Sequence, residues 1–166
     1  NILWSLEQTA EKYANRVAVS DVNQELTWKE LVKKAQIIGA ELSEKVQPGN
    51  PVPVLLEKSS ETLAVMLGIV YAGCFYVPVN PMNPTERLRK IMEKLDPEVI
   101  ISDEKGKEQL AAIGNGLENK VMGPEALKTA TGTELSEEQY SRLEQIQGQW
   151  KETDVSVSYT HLTLPT

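Results

Sequence analysis

The sequence predicts an α/β fold that is built on a parallel sheet. Three short apolar runs, VPVLLE, FYVPV and EVIISD, have the length of strands and start at residues 52, 75 and 98. Unbroken apolar runs suit strands that are covered on both faces, as the strands of a parallel sheet are. Stretches with helical periodicity lie between them, and this alternation of strand and helix is typical of α/β proteins.

The N-terminal part of the sequence predicts a helix followed by a β-hairpin. A helix over residues 3–13 is expected from four side chains at helical spacing. These are Leu3, Leu6, Ala10 and Tyr13. The segments RVAVSD (16–21) and QELTW (24–28) are typical of short strands, and Asn23 lies at the turn that would join them.

The next predicted helix, over residues 28–45, begins with a capping box. Thr27 can cap its first turn, and Glu30 stands three residues later as the partner. An apolar stripe on this helix is expected to face a core. It consists of Leu31, Ala35, Ile38, Leu42 and Val46.

Turn residues mark the ends of two further helices. Ser59 or Ser60 can cap a helix that continues to about Tyr71, and Gly73 ends it because glycine adopts the left-handed conformation freely. Pro84 opens the helix TERLRKIMEKL at its first turn, where a missing N–H has no intrahelical partner to lose.

The pattern is weaker after Gly106. We expect a short helix over residues 108–113, a strand at 120–122 and a polar helix over 136–150. The last of these contains many Glu and Gln residues, which predict a solvated face.

Composition excludes several classes of function. The net charge of −7 and the pI near 4.9 disfavour binding to nucleic acid or to anionic membranes.

The uncharged run at 63–79 approaches the length of a membrane span, but Gly73 and Pro78 interrupt it, so a buried helix and strand are expected instead. No basic segment precedes an apolar one at the start, so a signal peptide is absent or was lost with a missing N-terminus. A single cysteine, Cys74, permits no internal disulfide and favours the cytoplasm.

Two segments carry a family resemblance: LTWKEL (26–31) and GIVYAGCFYVPVNPMNPTERLRKIMEKLDPEVIISD (68–103). They resemble the motifs L-[ST]-Y-x-E-L and L-K-A-G-x-A-Y-[VL]-P-[LI]-D-P-x-x-P-x-x-R of the adenylate-forming enzymes. The matching residues are Leu26, Thr27, Glu30, Leu31, Ala72, Gly73, Tyr76, Val77, Pro78, Pro81, Pro84 and Arg87. Trp28 replaces a tyrosine, Tyr71 a lysine and Asn80 an aspartate.

The resemblance implies both a fold and a function. The fold is the first part of the large N-terminal domain of an adenylate-forming enzyme, a doubly wound and mostly parallel sheet layer, here truncated. The proline-rich VPVNPMNP most resembles the amino-acid-activating branch, which includes nonribosomal peptide synthetase adenylation domains and D-alanine–carrier protein ligases. The implied parent is an ATP-dependent ligase that forms an aminoacyl-AMP and loads it onto the thiol of a carrier protein's phosphopantetheine arm. ATP and Mg²⁺ are its implied cofactors.

The distinctive residues of these segments have structural interpretations. Arg87 is expected to be exposed or to pin its loop to an acidic neighbour, and Asn80 is expected to hydrogen-bond within its loop. Cys74 has no local base to activate it, so we expect a small core residue. Three aromatic side chains are expected in the core or at its rim: Trp4, Trp28 and Phe75.

The phosphate-binding loop of the family has no counterpart in the chain. The segment VSYTHLTLPT (157–166) is only superficially similar to it, because it has no glycine and no lysine. It can be back-translated into one frame of a transposase-based sequencing adapter. We therefore expect a partial AMP-binding domain over residues 1–155 and a non-native tail over 156–166, in which His161 has no function. A genuine edge strand is the alternative for this tail.

Within the chain, no catalytic, cofactor-binding or metal-binding residue is predicted. Two other functions stay open: the parent could be an acyl-CoA synthetase, or the chain could be a non-catalytic small α/β binding module. The fragment alone is expected to be inactive and, with unpaired sheet edges, prone to aggregation.

Overall fold

The computed structural model describes residues 2–123 and 134–151, which form helices and strands in alternation. The predicted tail at 156–166 lies outside these residues. In chain order the elements are α1 (Ile2–Tyr13), β1 (Val17–Ser20), β2 (Glu25–Thr27), α2 (Trp28–Ser43), β3 (Pro51–Leu55), α3 (Ser60–Tyr71), β4 (Phe75–Pro78), α4 (Thr85–Leu95), β5 (Ile100–Ser102), α5 (Glu104–Ile113), a 3-10 turn (Leu117–Lys120), β6 (Val121–Met122) and α6 (Glu137–Lys151).

The strands form a hairpin and a parallel sheet. The strands β1 and β2 pair antiparallel, whereas β3 to β6 form a four-stranded sheet in the order β4-β3-β5-β6 with every neighbouring pair parallel. After β3 the chain moves outward to β4, then returns to the other side of β3 to form β5 and β6. This order is that of a doubly wound sheet, and its topological switch point lies between β3 and β5.

The predicted helix ends are confirmed at three places. The Thr27 hydroxyl accepts a hydrogen bond from the Glu30 N–H at 3.3 Å, and the Glu30 carboxylate accepts one from the Thr27 N–H at 2.8 Å, which completes the capping box. At the start of α3, Ser59 is the capping residue. At its end, Gly73 has φ +74°, and the N–H of Cys74 donates to Ile69 O at 3.1 Å, as in a Schellman motif.

Two apolar clusters fill the two faces of the parallel sheet. The side chains of Val52 and Val54 belong to the larger cluster with α2 and α3, and Leu55 belongs to the smaller cluster with α4 and α5. All five residues of the predicted α2 stripe are at most 2% exposed. The apolar run of β3 is therefore covered on both faces, as its sequence predicted.

Glycines set the close approach of α2 to α3. A Cβ atom at Gly39 would lie 2.5 Å from Tyr71 Cβ, and one at Gly68 would lie 2.5 Å from Ile38 Cγ2. These distances are shorter than side chains tolerate, so the two helices pack closely only because both positions lack a Cβ.

The expectation for two of the three aromatic residues was wrong. Trp4 and Phe75 are 62% and 51% exposed, so neither packs in the core, whereas Trp28 packs against the larger cluster. The polar helix α6 has the predicted solvated face, and its opposite side buries Leu143 and Ile146.

Two helix starts differ by a few residues from expectation. The helix α5 begins at Glu104, earlier than expected, because the Asp103 side chain caps it. Pro84 occupies the capping position of α4, one residue before the first helical residue.

The uncharged run at 63–79 forms most of α3 and all of β4. No helix within residues 2–123 and 134–151 is long and apolar enough to cross a membrane.

Candidate functional site: the switch-point edge

The carboxyl edge of the parallel sheet is the place where doubly wound proteins bind ligands. At the switch point this edge consists of residues 56–59, which follow β3, and Asp103, which follows β5. We call these residues, with the first turns of α3 and α5, the switch-point edge. In many α/β proteins, helix N-termini at this position bind phosphate through free backbone N–H groups.

The first turn of α3 is closed by side chains of this chain. The Ser59 hydroxyl accepts a hydrogen bond from the Thr62 N–H at 3.1 Å. The Asp21 carboxylate, from the hairpin turn, accepts from the Ser60 N–H at 2.7 Å and from the Ser60 hydroxyl at 2.6 Å. A negative charge is favourable at a helix N-terminus, so Asp21 stabilises α3 from a distant part of the chain.

Asp21 also organises its own turn. Its other oxygen accepts hydrogen bonds from the N–H groups of Asn23 at 2.8 Å and Gln24 at 3.0 Å. The hydrogen bonds from Ser60, followed by those from Asn23 and Gln24, hold the pKa of the Asp21 carboxyl well below its usual range. The carboxylate is therefore charged whenever the protein is folded near neutral pH.

A polar network extends this contact to α2. The Gln24 side-chain amide donates to the Ser60 hydroxyl and to the Glu61 carboxylate, at 2.9 Å in each case. Lys34 on α2 forms an ion pair with the same Glu61 oxygen. The hairpin, α2 and α3 are thus fastened together beside the switch point.

The first turn of α5 is closed in a similar way. The Asp103 carboxylate accepts a hydrogen bond from the Gly106 N–H at 2.8 Å. A Cβ atom at Gly106 would lie only 2.0 Å from the Ser102 hydroxyl oxygen, which is fully buried at the end of β5 and lies 3.1 Å from Asp103 O. A side chain at position 106 would therefore have to displace the Ser102 hydroxyl.

The loop between β4 and α4 is held by its own hydrogen bonds. Asn80 accepts one from the Met82 N–H at 2.9 Å, as its sequence predicted. From α5, the Gln109 amide donates to Pro81 O at 2.8 Å. Arg87 is exposed and forms no ion pair with another residue of the described part of the chain.

The potentially reactive side chains lie away from this edge. Cys74 is buried at the opposite end of β4, its thiol lies 3.4 Å from Gln47 O, and burial raises the pKa of the thiol, so it behaves as the predicted small core residue. The hydroxyl of Tyr71 donates to the Glu7 carboxylate at 2.8 Å, and burial raises its pKa far above the usual range. Both groups stay protonated and unreactive near neutral pH.

The switch-point edge does not fit the phosphate groups of a nucleoside triphosphate. Carboxylates of Asp21 and Asp103 occupy the two helix N-termini where phosphate oxygens would bind, and they would repel them. Within the described ranges, no group of three or more His, Cys, Asp or Glu side chains could hold a metal ion. The edge can orient loops that follow it, but its residues form neither a phosphate cradle nor a nucleophile–base pair.

Sequence reasoning missed the roles of Asp21 and Asp103. An aspartate directly before a helix, as in SDEKGKEQL, is a capping signal that could have found Asp103. The segment DVNQ could have indicated the hydrogen-bonded turn at Asp21. No local signal indicates that Asp21 would reach α3.

These features define a doubly wound α/β protein whose switch-point edge is closed by its own side chains. A sequence model of the AMP-binding enzyme family matches residues 6–160, which is most of the chain. The chain therefore belongs to the AMP-binding enzyme family.

Individual relatives agree with this assignment. The chain is 36% identical to bacitracin synthase 1 of Bacillus licheniformis over 107 residues, which are 64% of this chain and 2% of that protein. It matches the structure of VinN with 3-methylaspartate at 27% identity with a TM-score of 0.70, over 76% of this chain and 35% of that one. A fatty acyl CoA synthetase of Mycobacterium tuberculosis shares the fold, with a TM-score of 0.72 at 20% identity over 81% of this chain and 28% of that one.

The chain is short beside these proteins. It spans 2 to 4% of the length of the first curated relatives that it matches, and about a third of VinN.

Proposed function

We propose that this chain is the first part of the large N-terminal domain of an ATP-dependent adenylate-forming ligase. The parent would activate an amino acid as its aminoacyl-AMP and transfer it to the phosphopantetheine thiol of a carrier protein. The family match over residues 6–160 is the observation that carries this proposal. The carrier protein enters this proposal through the resemblance of VPVNPMNP to the amino-acid-activating branch.

Within such a ligase, the described residues act as a framework. The hairpin, α2 and α3 are joined through Asp21, Ser60 and Glu61. The helix α5 packs closely on the end of β5, where Gly106 meets the Ser102 hydroxyl. A rigid edge of this kind positions whatever loops extend from it, and positioning accounts for much of the rate enhancement in phosphoryl and adenylyl transfer. The residues that would bind ATP, Mg²⁺ and the substrate are expected outside the described part of the chain.

An amino acid is the substrate class that we favour. Bacitracin synthase 1 and VinN both match at 27% identity or more, and VinN is described in complex with 3-methylaspartate, an amino acid. The fatty acyl CoA synthetase shares only the fold at 20% identity, so the acyl-CoA alternative has weaker support. Resemblance to the D-alanine–carrier protein ligases in particular stays a prediction.

We further propose that residues 1–155 are the native partial domain, that residues 156–166 derive from a sequencing adapter, and that the parent acts in the cytoplasm. The absence of glycine and lysine from VSYTHLTLPT supports the second point. The single cysteine supports the third. The net charge of −7 argues against nucleic acid or anionic membranes as partners.

The decisive experiment is to sequence the source gene across the codon for Asp154, from a library prepared without transposase adapters. We expect an open reading frame that continues into a Gly/Ser/Thr-rich loop ending in Pro-Lys-Gly. The longer product should then catalyse amino-acid-dependent exchange of pyrophosphate into ATP. Exchange that depends on fatty acids instead would favour the acyl-CoA synthetase. If the tail persists and a stop codon follows Thr166, the chain is a small binding module and the ligase proposal is wrong.

A further inference from the structure

The segment that joins α5 to the 3-10 turn places an asparagine directly before a glycine. Asn115 and Gly116 have φ +65° and +69°, and positive φ at two successive residues is typical of the centre of a type I′ turn. Asn115 is exposed, and a Cβ atom at Gly114, the residue before it, would meet nothing within 4 Å. The turn is therefore open to solvent.

Two neighbouring groups of this turn are free of hydrogen bonds. Among the described residues, no partner binds the side-chain amide of Asn115 or the N–H of Gly116, whereas the Gly116 carbonyl accepts from the Asn119 N–H at 3.1 Å. Glycine leaves its own nitrogen uncrowded, because it has no side chain. Rotation about the Cα–C and Cα–Cβ bonds of Asn115 is therefore enough to bring the Gly116 nitrogen to the side-chain carbonyl carbon of Asn115.

We propose that Asn115 is a site of spontaneous covalent modification, at which the chain loses ammonia and then takes up water. The Gly116 nitrogen attacks Cγ of Asn115 and gives up its proton. The new N–Cγ bond closes a succinimide ring, while the Cγ–Nδ2 bond breaks and ammonia leaves with that proton. Water then opens the ring: addition at Cγ gives aspartate, and addition at the backbone carbonyl carbon gives isoaspartate, in which the main chain continues through Cγ.

Other asparagines of the described residues lack a free nitrogen next to them. After Asn15, the Arg16 N–H donates to a backbone carbonyl of α1 at 2.9 Å. After Asn23, which is exposed, the Gln24 N–H donates to the Asp21 carboxylate at 3.0 Å. Three further asparagines precede a proline, whose nitrogen carries no hydrogen to give up. These are Asn50, Asn80 and Asn83.

The modification changes both the charge and the backbone of the turn. Either product adds one negative charge to a chain whose net charge is −7, so the modified chain is separable by anion exchange. Isoaspartate also lengthens the main chain by one carbon, directly before the 3-10 turn. That turn carries Leu117, which is 8% exposed within the smaller apolar cluster.

The test incubates the whole chain at mildly alkaline and at mildly acidic pH and maps its tryptic peptides over time. Residues 108–120 form one such peptide, EQLAAIGNGLENK, so fragment ions compare Asn115 with Asn119 directly. Asn115 should react at least about tenfold faster than Asn23, where the hydrogen bond from Gln24 to a carboxylate must open first. The reaction should be faster at alkaline pH, because the attacking nitrogen must lose its proton.

Two matched variants test the assignment in the intact chain. Asn115→Gly removes the carboxamide and keeps a residue that adopts φ +65° without strain. Asn23→Gly removes an exposed carboxamide from the hairpin turn. Growth of the acidic form on anion exchange should disappear in Asn115→Gly and keep its rate in Asn23→Gly. Circular dichroism of both variants shows that they are folded.

Three results would overturn the proposal. One is a rate at Asn115 no greater than that at Asn119, and another is an acidic form that persists in Asn115→Gly. The third is aspartate without isoaspartate at position 115, judged against synthetic peptides, because direct hydrolysis gives aspartate alone. None of these outcomes bears on the ligase proposal, since the turn precedes β6 at the amino end of the sheet, away from the switch-point edge.

Discussion

At the scale of single residues, Asp21 is the side chain that joins the hairpin turn to the start of α3. One carboxylate satisfies two N–H groups of its own turn and both donors of Ser60, which is 39 positions further along the chain. Hydrogen bonds to a charged acceptor are stronger than those between neutral groups. The hairpin is therefore held to α3 by this ionised group together with the Gln24 amide.

Substitution Asp21→Asn should lower the free energy of unfolding at neutral pH, because the amide supplies one acceptor oxygen in place of two charged ones. The pKa of Asp21 is lowered in the folded state, so its contribution is present above the unfolded pKa of about 4 and is lost as the pH falls through the folded pKa. Urea unfolding at pH 7 and at pH 3 measures this. The deficit of the variant should shrink at the lower pH.

The matched control for this prediction is Glu11→Gln, which neutralises an exposed carboxylate on α1. It should unfold at nearly the same urea concentration as the unsubstituted chain at both values of pH. An Asp21→Asn variant as stable as the control at pH 7 would show that the carboxylate contributes nothing.

At the scale of elements, the packing of α2 on α3 determines how the larger cluster is assembled. Both helices place a glycine at the contact, and Gly68 faces Ile38 and the carbonyl of Ala35. The Ala35 oxygen would lie 3.0 Å from an added Cβ, and backbone cannot move aside as a flexible side chain can. If the two helices moved apart, apolar contacts throughout the larger cluster would be lost.

Substitution Gly68→Ala should reduce the free energy of unfolding by about 1–3 kcal/mol, the usual cost of overpacking. Gly148→Ala in α6 is the control, since nothing lies within 4 Å of the added Cβ. Alanine there should stabilise the protein by up to about 1 kcal/mol through helix propensity alone. Chemical denaturation of both variants checks the pair, and equal effects at the two glycines would contradict the close-packing argument.

The elements that the sequence predicted correctly have local causes. Each of these features depends on residues within a turn or two of one another. They are the capping box at Thr27, the helix end at Gly73 and the apolar stripe of α2. The errors have tertiary causes. Trp4 and Phe75 are exposed because nothing among the described residues packs over them. The spacing of apolar residues along the chain does not reveal which of them a neighbouring element will cover. The reach of Asp21 to Ser60 is equally invisible, because it joins segments that only the fold brings together.

At the scale of the whole molecule, acidic groups oppose phosphate binding in two ways. The net charge of −7 lowers the local concentration of anions near the surface. Other α/β proteins overcome such repulsion by binding phosphate at helix N-termini. Here Asp21 and Asp103 already accept hydrogen bonds at the N-termini of α3 and α5. If the parent binds ATP as proposed, we expect its phosphate-binding groups to come from sequence beyond these elements.

Mg-ATP at millimolar concentration should therefore leave the melting temperature of this chain unchanged to within about 1 °C, since a ligand stabilises a protein only when its concentration reaches the dissociation constant. Differential scanning fluorimetry measures this, with MgSO₄ at equal ionic strength as the control for screening. A saturable rise with ATP, absent with sulfate, would show that this chain does bind the nucleotide. The same titration on a longer product that contains the Pro-Lys-Gly loop should give such a rise. That contrast would place the phosphate site in the added segment and assign the present elements a framework role.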